Sequence, residues 1–260
     1  MKITTWNVNS LTARLPHVLD WLEANPVDVL ALQELKQTDD KFPREELAEA
    51  GYGAVVFGQK TYNGVALITR LPLTATEVVR NIPGFEDDEA RVIAGTVDGP
   101  GGPVRVVNGY FVNGQAPGSD KFTYKMRWLE ALHAWLQTEL TAHPRLVLLG
   151  DFNIVPEDRD SYDPVGLAET IHHTSAERDH LQALLDLGLV DTFRLFEQPE
   201  KSFSWWDYRR LGYQKNRGLR IDLILASQAL VPQAKACHID REPRKWTRPS
   251  DHAPVTLELG

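Results

Sequence analysis

This chain is poor in cysteine. Cys237 stands alone among 260 residues, so no disulfide can form within the chain, and a reducing compartment suits it best. Long apolar runs are missing as well: none approaches the ~20 residues that cross a bilayer. The opening MKITTWNVNS reads as a strand, not as a charged segment followed by an apolar one, and gives no reason to expect a secretory leader. Repeats and low-complexity stretches are absent, and GPGGP at 99–103 is a tight hairpin loop, not a linker. A soluble, cytoplasmic protein is expected, with no membrane partner. Since no disordered tail is apparent, it is also expected to be a monomer.

Basic charge is in deficit too. The formal net charge of -8 argues against a generic nucleic-acid binder, which is usually basic. A local basic face is still open. Arg209, Arg210, Lys215, Arg217 and Arg220 form one cluster, and Arg241, Arg244, Lys245 and Arg248 form another. The alternative is that these are solvated loop charges.

What the chain does have is β-rich runs interrupted by a few helices. Strands are expected at Lys2–Trp6, Val29–Gln33, Ala54–Phe57, Val65–Thr69, Leu73–Val79, Arg91–Val97, Val104–Tyr110, Leu146–Leu149, Ile221–Leu225, Lys235–Ile239 and Val255–Leu259. Helical spacing links Leu15, Val18, Leu19 and Leu22, and again Met126, Leu129, Leu132 and Leu136. Thr174-Ser-Ala-Glu177 has the form of a capping box opening a helix through Leu187. A β/α barrel would need about twice as many helix crossovers. The expected fold is α/β: two mixed β-sheets packed face to face with helices outside, as one domain over residues 1–260.

Polar residues with no use in a core follow the strands. Asn7 and Asn9 come after the first, Glu34 after the second, and Tyr110 with Asn113 after another. In RLVLLGDFNIVP a buried run stops at Gly150, where a sharp turn is expected to bring Asp151 and Asn153 out together. Asp222 sits in an apolar strand, and Asp251-His252 precedes the last one. Each has a plainer reading: a turn cap for Asn7, a helix cap for Glu34, a half-buried aromatic for Tyr110, a chance dipeptide for Asp251-His252. Asp222 is harder to dismiss, because a carboxylate among Ile221 and Leu223 is costly without a partner.

Together these residues are rich in oxygen, contain one histidine and lack a thiolate. Such a set suits a hard cation, Mg²⁺ or Mn²⁺, and not zinc. A divalent ion with few carboxylates is typical of phosphoryl transfer. With no serine or cysteine beside a base, direct attack by water fits best.

The motifs WNVNS, LQELK, NGVA, NGYFVNG, GDFN, RIDLILAS and SDHAPV occur in this order, with YDP at 162–164 and ER…GLVDTFR at 177–194. This series resembles the exonuclease III family of apurinic/apyrimidinic (AP) endonucleases, in the endonuclease/exonuclease/phosphatase superfamily, from Lys2 to Leu259. The resemblance implies a four-layer α/β sandwich and a Mg²⁺- or Mn²⁺-dependent DNA-repair phosphodiesterase. Its substrate would be double-stranded DNA with abasic sites, cut 5′ of the lesion to leave a 3′-hydroxyl, with 3′→5′ exonuclease or 3′-phosphodiesterase activity beside it. Glu34 would be the main metal carboxylate, assisted by Asn7 and Asn9, with Asp251 at a second or outer position. Asp151 would activate water oriented by Asn153. His252, held by Asp222, would contact the phosphate, and Tyr110 would hydrogen-bond it or assist the leaving oxygen. Asn113, Arg91 and Arg220 would bind substrate, and Trp205, Trp206, Leu219 and Ile221 would line an apolar pocket for a flipped abasic sugar. Thr12, Val112 and Leu219 depart from the family pattern, which bears on DNA grip and not on the reaction type. Two other readings stand beside this one: a phosphoesterase of the superfamily acting on a non-DNA substrate, and a DNA-binding module without catalysis.

Overall fold

The computed structural model describes residues 1–260, the side chain of Ala75 excepted. In chain order the elements are β1 (Lys2–Asn7), α1 (Leu11–Ala24), β2 (Val29–Gln33), α2 (Arg44–Glu49), β3 (Gly53–Phe57), β4 (Val65–Thr69), β5 (Val79–Arg80), β6 (Val92–Gly99), β7 (Gly102–Tyr110) and α3 (Asp120–Ala142). There follow β8 (Leu146–Asp151), α4 (Ser175–Asp186), β9 (Leu189–Asp191), β10 (Trp205–Trp206), β11 (Gly218–Leu219), β12 (Asp222–Ser227), β13 (Ala234–Ile239) and β14 (Val255–Leu259). One six-stranded sheet runs β13-β14-β1-β2-β4-β3 and a second runs β5-β6-β7-β8-β12-β9, with β10-β11 as a separate ribbon.

Strands such as VLALQ and LVLLGD are apolar up to their C-terminal ends because both of their faces are covered. In β2, Val29 and Ala31 point into the core between the sheets, with Ile3, Leu67, Val106, Leu149 and Ile224. Leu30 and Leu32 point the other way, onto Val18, Trp21 and Leu22 of α1 and Leu47 of α2. On the far side of the second sheet, Leu146, Leu148 and Leu223 meet Trp128, Leu129 and Leu132 of α3 and Leu181 and Leu184 of α4. The expected sandwich with outer helices is therefore found. The capping box also forms: Thr174 accepts from the Glu177 N–H, and Glu177 accepts in return from the Thr174 N–H.

Two local expectations need correction. Leu73–Val79 is not one strand: Leu73 forms an isolated bridge to Val97, a 3-10 turn covers Ala75–Glu77, and only Val79 joins a ladder, as the first residue of β5. Leu73 and Val78 still pack on the inter-sheet core. However, the Glu77 carbonyl is taken by Arg105 Nη1 at 2.6 Å, so this backbone is bound by a side chain instead of a ladder. Gly150 does not make the turn either. It lies within β8 at φ 141°, and a Cβ there would come within 1.8 Å of the Gly109 carbonyl oxygen. The glycine permits the close approach of β7, and the chain turns at Asn153, φ 50°.

Topology decides where the polar ends go. β1 runs parallel to β2, and β7 parallel to β8, so Asn7, Glu34, Tyr110 and Asp151 emerge at strand C-termini. β12 is antiparallel to β8 and pairs Asp222 with Asp151, while β14 is antiparallel to β1. Their N-terminal ends therefore deliver Asp222 and His252 to the same rim. Gln33 and Asn108 join the two sheets below it through a 2.7 Å hydrogen bond between fully buried side chains.

Candidate active site

Asp151 is the centre of the rim and only 2% exposed. Its Oδ1 accepts from the Asn153 backbone N–H at 3.0 Å, and its Oδ2 accepts from Asn7 Nδ2 at 2.9 Å. The same Asn7 nitrogen donates to Glu34 Oε1 at 2.9 Å, so one amide ties two carboxylates from different sheets. Asn7 Oδ1 is turned away by the Asn9 N–H at 3.0 Å. Asn7, expected beside Glu34 as a ligand, thus meets the carboxylates through its nitrogen.

His252 is 4% exposed and stands between two aspartates. Its Nδ1 lies 2.8 Å from Asp222 Oδ2, and its Nε2 is 3.7 Å from Asp151 Oδ2. Burial alone would lower its pKa, but the charges of Asp222 and Asp151 outweigh that and push it up to about 10. Nδ1–H is then the donor to Asp222, which leaves Nε2–H facing the site. Burial pushes Asp151 up to about 7, aided by Asp222 and Glu34 and opposed by His252 and Asn7. The Tyr110 hydroxyl is driven well above its ordinary value, first by burial and then by Glu34 and Asp151. It stays protonated at any physiological pH.

Around this centre lies a second ring. Lys36 forms an ion pair with Glu34 at 2.9 Å and donates to Asn9 Oδ1 at 2.6 Å. Asn9 donates to Asp251 Oδ1 at 2.9 Å, and Asp251 Oδ2 accepts from Trp205 Nε1 at 2.9 Å. Asp251 and Asn9 therefore sit one step out from the Glu34–Asp151 pair. Arg91 lies over the Tyr110 ring at 5.3 Å. Asn113 donates to Asn153 Oδ1 at 3.3 Å. Glu34, Asn153 and Asn9 have φ of 54°, 50° and 45°, a region side chains rarely adopt, and such strain gathers at functional sites.

The apolar pocket residues divide. Leu219 and Ile221 cluster with Val155, Leu167 and Trp205 beside the rim. Trp206 does not join them: it is fully buried with Phe203 and Ala253 and donates to Asn216 at 3.0 Å. Arg220, expected to bind substrate, is 1% exposed and holds Asp160 at 2.7 Å and Asp191 at 2.7 Å. A guanidinium paired on both sides in the interior cannot reach DNA. The second basic cluster is partly internal too, since Arg244 is buried, with its guanidinium 4.9 Å from the Tyr213 ring centre. Arg210, Lys215, Arg217 and Arg248 are exposed.

Sequence reasoning missed Lys36 and His172. His172 Nδ1 is 2.6 Å from the Asn153 carbonyl, and its Nε2 is 3.5 Å from Asn113 Nδ2. A histidine pair in a loop carries no periodic signal, whereas Lys36 was readable as the basic residue of LQELK.

Glu34, Asp151 and His252 offer ligand atoms within 4.8 Å of one another. Two carboxylates this close, with Asp222 behind, carry more negative charge than His252 and Lys36 balance, so the donor set fits a hard cation.

A model of the endonuclease/exonuclease/phosphatase family matches residues 4–252. Exodeoxyribonuclease III of Haemophilus influenzae is 36% identical over 276 residues, covering 100% of both chains. Among solved structures, a 3′ phosphatase from Neisseria bound to product DNA hairpin is 49% identical with a TM-score of 0.96, covering 100% of this chain and 99% of that one. An AP endonuclease from Archaeoglobus fulgidus is 33% identical with a TM-score of 0.94, over 100% and 99%.

Proposed function

Because the chain belongs to the endonuclease/exonuclease/phosphatase family, we propose that the rim around Asp151 is the centre of a DNA-repair nuclease that hydrolyses phosphoesters by direct water attack. The convergence of Glu34, Asp151, Asp222 and His252 from four strand ends carries this reading. Incision 5′ of an abasic site in duplex DNA is the first activity assigned to it. Removal of groups from a 3′ end is the second, favoured by the 49% identity to a 3′ phosphatase. Both need one phosphate position and differ in what lies beside it.

Mg²⁺ or Mn²⁺ would be held by Glu34 and Asp151, and when bound it supplies charge neutralisation and polarisation of the phosphoryl oxygen. Asp151 takes the proton of the attacking water, which Asn153 orients. His252, kept cationic and aimed by Asp222, offers Nε2–H to a phosphate oxygen where negative charge grows. Tyr110, protonated, donates to the same phosphate or to the leaving oxygen. Leu219, Ile221 and Trp205 supply an apolar wall that a sugar without its base can enter. Asn113 and Arg91 steady the flanking phosphate. The exposed Arg210, Lys215, Arg217 and Arg248 attract the duplex despite the net acidic charge.

The reading takes residues 1–260 as one domain acting as a monomer in a reducing cytoplasm. Among the described residues no helix is long and apolar enough to cross a membrane. The test uses end-labelled duplexes, one with a tetrahydrofuran site and one with a 3′-phosphate at a nick, in Mg²⁺, Mn²⁺ or EDTA. Cleavage with either metal and none in EDTA is expected, and the faster substrate names the principal activity. If neither duplex is cut with either metal, the assignment falls.

A further inference from the structure

Lys125 occupies an apolar position of α3. With Trp128, Leu129 and Leu132 it forms the buried stripe of the helix, and its side chain is 0% exposed. An ammonium has three N–H groups, and each finds an oxygen. One goes to the Asn153 carbonyl at 2.8 Å, one to the Asn113 carbonyl at 3.3 Å and one to the Glu177 carboxylate. Glu177, also 0% exposed, accepts from the His172 N–H at 3.1 Å, the Thr174 N–H at 3.1 Å and the Thr174 hydroxyl at 2.8 Å. Gly114 makes room for this, since a Cβ there would meet Lys125 Cδ at 2.9 Å.

The pair therefore binds backbone on two loops: the one after β7, and both ends of the one that joins β8 to α4. Their side chains meet at the active-site rim, where Asn113 contacts both Asn153 and His172. Asn153 at φ 50° and His172 at φ 71° are in the left-handed region, so these loops are held in shape from outside. Stability does not call for a charged pair here. Apolar residues of similar volume often replace a buried ion pair without loss. An apolar pair, however, would leave the Asn113 carbonyl and two N–H groups of these loops without partners and would take from the Asn153 carbonyl one of its two donors.

We propose that Lys125 and Glu177 are positioning residues for the hydrolysis, clamping the two loops that carry Asn113, Asn153 and His172 so that their side chains face the phosphate position. The proposal rests on the nuclease reading given above. Because the Asn153 carbonyl can only accept, His172 must hold its proton on Nδ1, and Nε2 presents a lone pair toward the Asn113 amide. Burial, reinforced by the Lys125 charge, lowers the His172 pKa to about 3 and keeps the ring neutral.

Three variants separate positioning from packing: Lys125→Met, Lys125→Arg, and Lys125→Met with Glu177→Gln. If Lys125 only fills space, Met serves at least as well as Arg. If it clamps the loops, Arg retains donors and Met does not. The double variant is expected to stay folded and lose about 10²-fold in kcat with KM little changed, the cost of misplaced groups. Arg is expected to outperform Met in kcat. Nitrogen-15 spectra should show His172 as the Nδ1–H tautomer in the parent and averaged between tautomers in the double variant. Parental kcat in the double variant, or Met equal to Arg, overturns the proposal. So does an Nε2–H tautomer in the unmodified protein, which needs no variant to fold. The spectra also read the clamp without turnover, so a chain that cleaves neither duplex refutes the nuclease reading and leaves the clamp separately testable.

Discussion

Two clusters of buried charge lie against the second sheet, and they are balanced differently. Arg220 and Arg194 face Asp160 and Asp191, two cations against two anions, all in direct ion pairs. At the rim, Glu34, Asp151 and Asp222 face only His252 and Lys36. A balanced interior cluster cancels its own charge and fixes structure. An unbalanced one attracts a cation and keeps a buried carboxylate that binds a proton more tightly than usual, which suits a base in phosphate hydrolysis. Asp151, pushed up to about 7, marks the difference.

This contrast can be broken most forcefully at Asp151. Asp151→Asn should lower hydrolysis of the abasic or 3′-phosphate duplex by about 10²–10⁴-fold, the usual worth of a general base, while duplex binding persists. Near-normal turnover by this variant would remove Asp151 from the chemistry. Asp160→Asn should do the reverse. It leaves Arg220 buried with one partner fewer, costing about 3–5 kcal/mol of stability. The melting temperature should fall by about 10 °C while kcat of the folded protein stays at the parental value. A loss of kcat with no loss of stability would make the two clusters equivalent in kind.

Smaller effects sharpen the comparison. Mg²⁺ at about a hundred times its Kd should stabilise the parent by about 2.7 kcal/mol, and Glu34→Gln should lose most of that. Asp160→Asn should keep the full shift, since it leaves the Glu34, Asp151 and His252 group untouched. Scanning calorimetry with and without metal measures both. The pH profile carries the smallest effect, about tenfold per unit. Asp151 acts when ionised, so kcat/KM should rise with pH, with a midpoint of about 7 at limiting metal. More metal favours the carboxylate and should move that limb to lower pH. His252, at about 10, keeps its proton over this range and adds no alkaline limb below it. A flat profile from pH 5 to 8 at limiting metal would contradict the assignment of Asp151.

Much of this was legible along the chain, for physical reasons that differ by residue. β2 and β4 were expected with their observed bounds because strands covered on both faces are mostly apolar, and β14 because Val255, Leu257 and Leu259 alternate with Thr256 and Glu258. The α4 cap was legible because a capping box is a contact between neighbours in sequence. Leu73–Val79 misled because its apolar residues anchor a turn through side chains, and composition does not tell anchoring from pairing. Arg220 was misread because a basic cluster in sequence looks alike whether its members face water or Asp160.

Sequence alone determined the layered fold, the oxygen-rich donor set and the reaction type they suggest, since burial and ligand chemistry follow from residue identity and local pattern. Only the tertiary structure decided which charges are spent internally, that Asn7 joins Glu34 to Asp151, and that Lys125 reaches the backbone of two rim loops. Those are matters of distance between residues far apart in the chain, and in this protein the charge balance of each cluster follows from which of those residues meet.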